Sequence, residues 1–200
     1  ADKSLVLDAK FHNAVTDFTG TVGLPNLARL NVILTIPEYR ENAQVNSTTN
    51  SKGEMDSIVF DNANGDFQNV YRLMGSALVN SKISSLSFNE PKWDVRFAPQ
   101  AANIQRFKYQ AQALSDNLLF QTATDKGNLT VEIGDPTSHQ GNFVFQTGIK
   151  GTLKKKLSWP VKQVLAVLSL AGDKEVLISD AGALMITVDS GVAAYKYIIM

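Results

Sequence analysis

The sequence predicts an α+β fold in which antiparallel sheets carry helices on one face. From residue 152 to the end, the chain reads as a strand, a helix and three further strands. The same order of elements recurs twice upstream, and a proline opens the helix each time, at Pro25, Pro99 and Pro160. Because repetition of one supersecondary unit limits the possible folds more than any single segment does, we describe the chain as strand–helix–three-strand modules.

The elements of the C-terminal module are the most clearly predicted by the sequence. Residues 152–158 have the mixed apolar and lysine composition of an edge strand, and Pro160 then opens a helix at a position where its missing N–H has no partner to lose. Apolar residues recur at three- and four-residue spacing as far as Ala171, and Gly172 provides a left-handed stop. Three strands separated by tight-turn sequences complete the module: 174–179, 183–189 and 192–200.

Two further modules are predicted upstream. The middle module is a strand, a helix and three strands: 92–97, 99–114, 118–124, 129–133 and 142–147. The one before it has the corresponding elements 14–22, 25–36, 43–48, 55–60 and 67–74. Residues 5–11 alternate like a strand with no helix before them, so we expect a first module that is present only as its final strand.

A polar stretch divides the predicted domains. Residues 78–92 carry six serine or asparagine residues before Pro91 and are typical of a connector. We therefore predict a first domain over residues 1–80, incomplete at its N-terminal end, a connector over 81–91 and a second domain over 92–200.

Composition restricts the function classes. The 200 residues are 44% hydrophobic and carry a formal net charge of zero, so no global field attracts nucleic acid or membrane. The absence of cysteine excludes disulfides, thiolate metal sites and cysteine nucleophiles, and fits a reducing compartment such as the cytoplasm. The apolar runs fall short of the roughly 20 residues that a membrane helix needs, so no membrane partner is expected.

Catalytic motifs are missing from the sequence. The two histidines, His12 and His139, fall in turns or loops where a solvated imidazole is the ordinary interpretation. The sequence contains no nucleophile elbow, phosphate loop, zinc-helix motif or dinucleotide fingerprint. We therefore expect no enzyme, no cofactor and no metal site. The lysine run 154–156 fits either a solvated strand or contact with a polyanion.

The predicted helices lack acidic residues. None of the 19 Asp and Glu residues falls in 25–36, 99–114 or 160–171, whereas these helices contain Arg29, Arg106, Lys108 and Lys162. If Phe107 and Val164 face the core, the opposite helix faces are mildly basic and otherwise small or neutral. Such a surface suits a loosely surrounded phosphate backbone better than base readout, which needs more arginine and lysine.

Two stretches of the sequence resemble those of a known protein family. They are Val95-Arg96-Phe97-Ala98-Pro99 leading into 104–114, and Leu157-Ser158-Trp159-Pro160 leading through the helix to 192–197. In these stretches and in module order the chain resembles a DNA polymerase sliding clamp, or processivity factor, of the bacteriophage type, similar in architecture to proliferating cell nuclear antigen. The resemblance implies the DNA-clamp fold and a homotrimeric ring around double-stranded DNA. It also implies a role in DNA replication in the host cytoplasm, with a DNA polymerase and a clamp loader as partners.

The resemblance also implies site residues. The residues expected to face DNA are Arg29, Arg106, Lys108 and Lys162. Subunits are expected to join through two edge strands that contribute Phe67, Val70, Tyr71, Leu73, Phe143, Val144 and Phe145. A groove for partner peptides is expected to contain Ile83, Leu86, Phe88, Tyr197 and Ile199.

Two other functions account for the same repeats. A non-catalytic β-rich virion structural or binding protein would also show repeated sheets, many turns and no catalytic residues. A hydrolase with a dispersed site would need His12 or His139 beside a carboxylate and a hydroxyl. The acid-free helices favour the clamp over the structural protein.

Overall fold

The chain divides into two units in the computed structural model, which describes residues 5–16, 18–83 and 89–200. The small unit is Ala14–Asn89, and the large unit combines Glu90–Met200 with the residues up to Asn13. The prediction placed residues 1–80 in one domain, whereas the structure groups the strand β1 (Leu5–Phe11) with the large unit. Among the described helices, none is long and apolar enough to cross a membrane.

The small unit has one three-stranded antiparallel sheet and two helices. Its elements in chain order are α1 (Leu27–Leu34), a 3-10 turn (Pro37–Tyr39), β2 (Gln44–Thr49), β3 (Met55–Asp61), β4 (Gln68–Arg72) and α2 (Ser76–Ile83). The strand order is β2-β3-β4. Ile33 of α1 packs with Ile58, Phe60 and Tyr71 in a core of its own.

Two predictions in this part of the chain are wrong. Residues 14–16 and 18–22 form no strand; only Gly23 makes an isolated bridge, to Met74. Gly20 has φ of +84°, which takes the backbone out of the extended region. The stretch read as a connector from residue 78 instead begins within α2.

The large unit contains two antiparallel sheets. The five-stranded sheet has the order β1-β12-β11-β10-β5 and the four-stranded sheet the order β8-β7-β6-β9. The strands after β1 are β5 (Val95–Phe97), β6 (Leu119–Asp125), β7 (Asn128–Gly134), β8 (Gln140–Gln146), β9 (Leu157–Pro160), β10 (Asp173–Ser179), β11 (Ala183–Asp189) and β12 (Ala193–Ile199). Its two helices are α3 (Ala101–Ala113) and α4 (Val161–Leu168).

The two modules of the large unit exchange their first strands. Strand β5 opens the middle module but pairs with β10 of the last module, and β9 opens the last module but pairs with β6. The predicted strand 152–158 is therefore mostly wrong, because β9 begins only at Leu157. The backbone N–H groups of Leu153 and Lys154 donate to the side chains of Thr124 and Asp180 instead of to a neighbouring strand.

The core of the large unit draws on both sheets and both helices. Phe107 of α3 is 1% exposed, and its ring centroid lies 4.7 Å from that of Phe120 and 6.1 Å from that of Phe145. Val164 and Leu168 of α4 are buried in the same cluster. Burial of these apolar stripes fixes which faces of α3 and α4 remain at the surface.

Candidate nucleic-acid interface

The exposed faces of α3 and α4 form a continuous candidate surface, because the two helices pack against each other. Ile104, Ala111 and Leu114 pack against the core, as the helical spacing predicts. Arg106 and Lys162 are exposed, and Lys108 is partly buried. The other exposed positions of the surface are small or neutral, as predicted: Ala102, Gln105, Tyr109, Ala113, Ala166 and Ser169.

Arg29 lies on the corresponding helix of the small unit. Asn26 caps α1, and its side-chain oxygen accepts a hydrogen bond of 2.9 Å from the backbone N–H of Arg29. The cap fixes the first turn of the helix, so the Arg29 side chain leaves it at a defined position. That side chain is exposed.

Arg29, Arg106, Lys108 and Lys162 form no ion pair among the described residues. None of the four α-helices there contains an aspartate or glutamate. The ion pairs of the described residues lie on strands, turns and loops: His12–Asp189, Arg72–Asp56, Lys92–Asp94, Arg96–Glu175 and Lys156–Glu132. The positive charges of Arg29, Arg106, Lys108 and Lys162 are therefore available to an anionic ligand.

Arg106 differs from the other helix cations in its contacts. Its Nη1 donates a hydrogen bond of 3.3 Å to the backbone carbonyl of Val144, and its guanidinium carbon lies 5.2 Å from the ring centroid of Phe143. Both contacts are with β8. The periodicity of the helix predicts that Arg106 is exposed but does not show where its long side chain lies.

Comparison with known proteins identifies the fold. No protein-family model matches the sequence, and no curated protein sequence matches it either. A solved structure of the DNA polymerase III subunit beta from Pseudomonas aeruginosa matches with a TM-score of 0.53 and 14% identity over 74% of this chain. PCNA from Thermococcus kodakaraensis matches with a TM-score of 0.56 and 14% identity over 86% of this chain. The protein has the DNA sliding-clamp fold.

A third clamp was solved with a bound peptide segment. The A. fulgidus PCNA bound to the C-terminal region of FEN-1 matches with a TM-score of 0.56 and 12% identity over 78% of this chain. The chain spans 40% of the Pseudomonas subunit, 70% of the Thermococcus PCNA and 62% of the A. fulgidus PCNA. The predicted fold class, an α+β clamp fold with helices on antiparallel sheets, is confirmed.

The two strands expected at the clamp's subunit boundary both lie at sheet edges. Strand β4 is the last strand of its three-stranded sheet, and β8 is the last of its four. Of the residues expected there, Phe67 and Val70 are exposed, whereas Leu73, Phe143 and Val144 are partly buried. Tyr71 and Phe145 are 2% and 4% exposed and belong to the cores of their own units. Their side chains are not accessible to another subunit.

Strands β1 and β12 hold the same places in their modules as the two proposed boundary strands, β8 and β4. By module order β12 corresponds to β4 and β1 to β8, since each is the last strand of its module. Strands β1 and β12 pair antiparallel over seven residues, from Leu5 opposite Ile199 to Phe11 opposite Ala193. The large unit thus contains one pairing of the type expected between β8 and β4 of neighbouring subunits.

The expected peptide groove lies partly outside the described residues. Leu86 and Phe88 are not described, and neither is the side chain of Ile83, the last residue of α2. Tyr197 is partly buried and stacks on Tyr195 at 6.3 Å between ring centroids. Ile199 is 0% exposed, so its assignment to a groove that receives a peptide is wrong.

The histidines and the lysine run have separate environments. His12 is exposed and its Nε2 lies 2.9 Å from Asp189 Oδ1, so it makes an ion pair when protonated. His139 is exposed in the loop between β7 and β8. Lys156 pairs with Glu132 at 2.7 Å, whereas Lys154 and Lys155 are exposed. A hydroxyl beside either histidine, which a hydrolase would need, is not among their hydrogen-bond partners in the described chain.

Proposed function

We propose that the protein is a sliding clamp that encircles duplex DNA and tethers a replicative DNA polymerase. One observation carries the proposal: on a clamp fold, Arg29, Arg106, Lys108 and Lys162 lie on helices without acidic residues and form no ion pair among the described residues. A virion structural protein has no need for such a surface. The role is non-catalytic, because tethering acts by raising the local concentration of the polymerase at its template.

Arg29, Arg106, Lys108 and Lys162 contact phosphates directly or through water and read no bases. Four dispersed cations per chain give a weak and salt-dependent attraction, because exposed charges are screened beyond about 8 Å at physiological ionic strength. Retention on DNA therefore depends on enclosure and not on affinity. Weak, sequence-independent contacts let the clamp move along the duplex.

A homotrimer closes the ring in this proposal. Strand β4 of one subunit pairs antiparallel with β8 of the next, and the pairing of β1 with β12 supports this geometry. The edge strands contain no proline that would prevent pairing. The partners are double-stranded DNA, a DNA polymerase and a clamp loader, as in a bacteriophage system working in the host cytoplasm. The proposal also includes a groove for partner peptides, to which the resemblance assigns Ile83, Leu86 and Phe88.

Topological retention is the test of this function. The chain has no cysteine, so one cysteine placed on β4 and one on β8 lock closed rings by disulfides. The locked protein is formed in the presence of a circular plasmid and, separately, of the same plasmid linearised. Protein should remain with the circular DNA after denaturation in detergent and be lost from the linear DNA.

Two results would contradict the proposal. Equal retention on linear and circular DNA would show binding without enclosure. Absence of protein on both, with the disulfides formed, would show that the closed assembly does not surround DNA.

A further inference from the structure

The contacts of Arg106 join the candidate DNA surface to the edge strand β8. The arginine is exposed on α3, yet its guanidinium group donates to the Val144 carbonyl at 3.3 Å and lies over the Phe143 ring at 5.2 Å. The side chains of Lys108 and Lys162 make no hydrogen bond, ion pair or ring contact in the described part of the chain. Arg106 is therefore the helix cation that touches the proposed subunit boundary.

The Val144 carbonyl belongs to the open side of β8. The strand is the last of its sheet, and its other side pairs with β7, where Val144 lies opposite Thr130. Asp125 and Asn128 close the two-residue turn between β6 and β7 as a hydrogen-bonded pair, so Thr130, two residues further on, also directs its backbone groups to β6, and Val144 opposite it directs its own away from β7. In an antiparallel strand the N–H and C=O of one residue point to the same side. Both backbone groups of Val144 therefore belong to the edge that an added strand would use.

The helix position makes this contact a fixed feature. Gly141 of β8 lies directly beneath α3, because a Cβ at that position would lie 1.4 Å from the Gln110 side-chain nitrogen. With Phe107 buried among aromatic rings of the core, α3 is held at close range over β8. Arg106 therefore extends from a rigid base, and only its side chain moves.

We propose that Arg106 is a DNA-sensitive cap on the edge of β8, an inference that rests on the clamp function proposed above. Without nucleic acid the guanidinium group occupies the Val144 carbonyl and obstructs the edge, which protects an unpaired strand from unwanted association. A phosphate competes for the same group, because bidentate arginine–phosphate bonds are stronger than a bond to a neutral carbonyl. Duplex DNA at the helix surface then draws Arg106 away and strengthens the pairing of β8 with β4 of the next subunit.

A peptide corresponding to residues 66–74, which contain β4, probes the edge of β8 directly. Its affinity is measured by calorimetry for the full chain and for Arg106→Gln. Removal of the cap should raise the affinity about tenfold, the size expected for one hydrogen bond from a charged donor. Lys108→Gln is the matched control, since it removes the same charge from the same helix without touching β8, and it should leave the affinity unchanged. Phe143→Leu, which removes the ring beneath the guanidinium, should give an intermediate increase.

A short DNA duplex at low salt supplies the second readout. Adding it should raise the peptide affinity of the original chain towards that of Arg106→Gln and leave the variant unchanged. The carbonyl ¹³C resonance of Val144 should move in the same direction on Arg106→Gln substitution and on addition of duplex, because both remove the guanidinium from that oxygen.

The inference is overturned if Arg106→Gln binds the peptide no more tightly than the original chain does, if Lys108→Gln matches its effect, or if no form binds the peptide. These outcomes are separate from the topological test. Loss of retention on circular DNA, with a peptide affinity that rises on Arg106→Gln but not on addition of duplex, would refute the clamp function and the DNA link, and would leave the cap on β8 as a device that controls self-association.

Discussion

One buried hydrogen bond joins the two modules of the large unit. Trp159 of β9 and Thr122 of β6 are 2% and 4% exposed, and the indole Nε1–H donates to the Thr122 hydroxyl at 2.9 Å. Thr122→Val keeps the shape of the side chain but leaves the indole N–H without an acceptor. We expect the free energy of unfolding, measured with urea, to fall by about 1–3 kcal/mol.

Thr122→Ser separates hydrogen bonding from packing in this experiment. Serine keeps the hydroxyl and removes a methyl group. The free energy of unfolding of this variant should fall by about 1 kcal/mol, through the small cavity alone. If valine proved as stable as threonine, the indole N–H would have to find another acceptor on β6.

Asp189 is a carboxylate whose environment makes stability depend on pH. The hydrogen bond from the His12 side chain, followed by that from the Gly191 backbone N–H, holds the pKa of Asp189 below its ordinary value of 3.8. Because the folded-state pKa is the lower one, the stabilisation is present above the ordinary pKa and is lost as pH falls through the folded value. Asp189→Asn should therefore lessen the dependence of the unfolding free energy on pH below about pH 4.

His12→Gln tests the cause of that dependence. Since the His12 hydrogen bond is the largest influence on Asp189, this variant should reproduce much of the change seen with Asp189→Asn. Unfolding curves of the original chain and Asp189→Asn that coincide from pH 5 to pH 2 would show that the pair contributes nothing to acid stability.

At the level of elements, side-chain periodicity predicts more than strand partners. The stripes of α3 and α4 place Phe107, Val164 and Leu168 in the core, and the exposed position of Arg106 follows from the same 3.6-residue period. A two-residue period shows which face of a strand is apolar but not which strand lies beside it. The exchange of β5 and β9, and the pairing of β1 with β12, are therefore visible only in the structure.

Weak patterns account for the missed elements. The residues of α2, Ser76–Ile83, include two serines, an asparagine and a lysine, so no apolar stripe distinguishes the helix from a polar connector. The segment 14–22 has an apolar residue at each end, but Gly20 bends it and its polar residues favour a loop. The contact of Arg106 with Val144 was not predictable either, because a long side chain can adopt many rotamers at one helix position.

Cysteine scanning tests the pairing of β4 with β8. Val70 of β4 is 50% exposed, and Val70→Cys is combined in turn with cysteine at residues 142, 144 and 146 of β8. Antiparallel pairing brings one of these positions within disulfide distance and leaves the others too far away. Under mild oxidation one combination should give covalent trimers in denaturing gels.

The reference protein for this scan carries Leu78→Cys instead of Val70→Cys. Leu78 is also about half exposed, at 51%, but it lies on α2 and not on an edge strand. Trimers of comparable yield from all combinations, or from the reference, would indicate random collision and would contradict the proposed boundary.

For the whole molecule, the distribution of charge matters more than its sum. The formal net charge is zero, yet the described α-helices hold cations without acids. Changing Arg106, Lys108 and Lys162 together to Glu turns the helix surface negative towards phosphates. We expect processive synthesis by the cognate polymerase to be lost, with the melting temperature retained and the covalent trimer yield not reduced, because these side chains lie outside the core and removal of Arg106 uncaps the edge of β8.

Lys126 and Lys174 serve as controls for the charge reversal. They lie in the turn after β6 and at the start of β10, outside the helices, and changing both to Glu should preserve processivity. Equal loss of processivity in the control would mean that total charge, and not the helix surface, supports the function.

The strand exchange makes the large unit a natural split protein. A cut at Gly148 separates β8 from β9. This glycine is exposed, has φ of +67° and faces open space. The first fragment keeps β1 and β5, which complete the sheet of β10–β12, and the second keeps β9, which completes the sheet of β6–β8. The large-unit strands of each fragment would fold only together with those of the other, so the two fragments would reassemble on mixing and report on the proximity of any proteins fused to them.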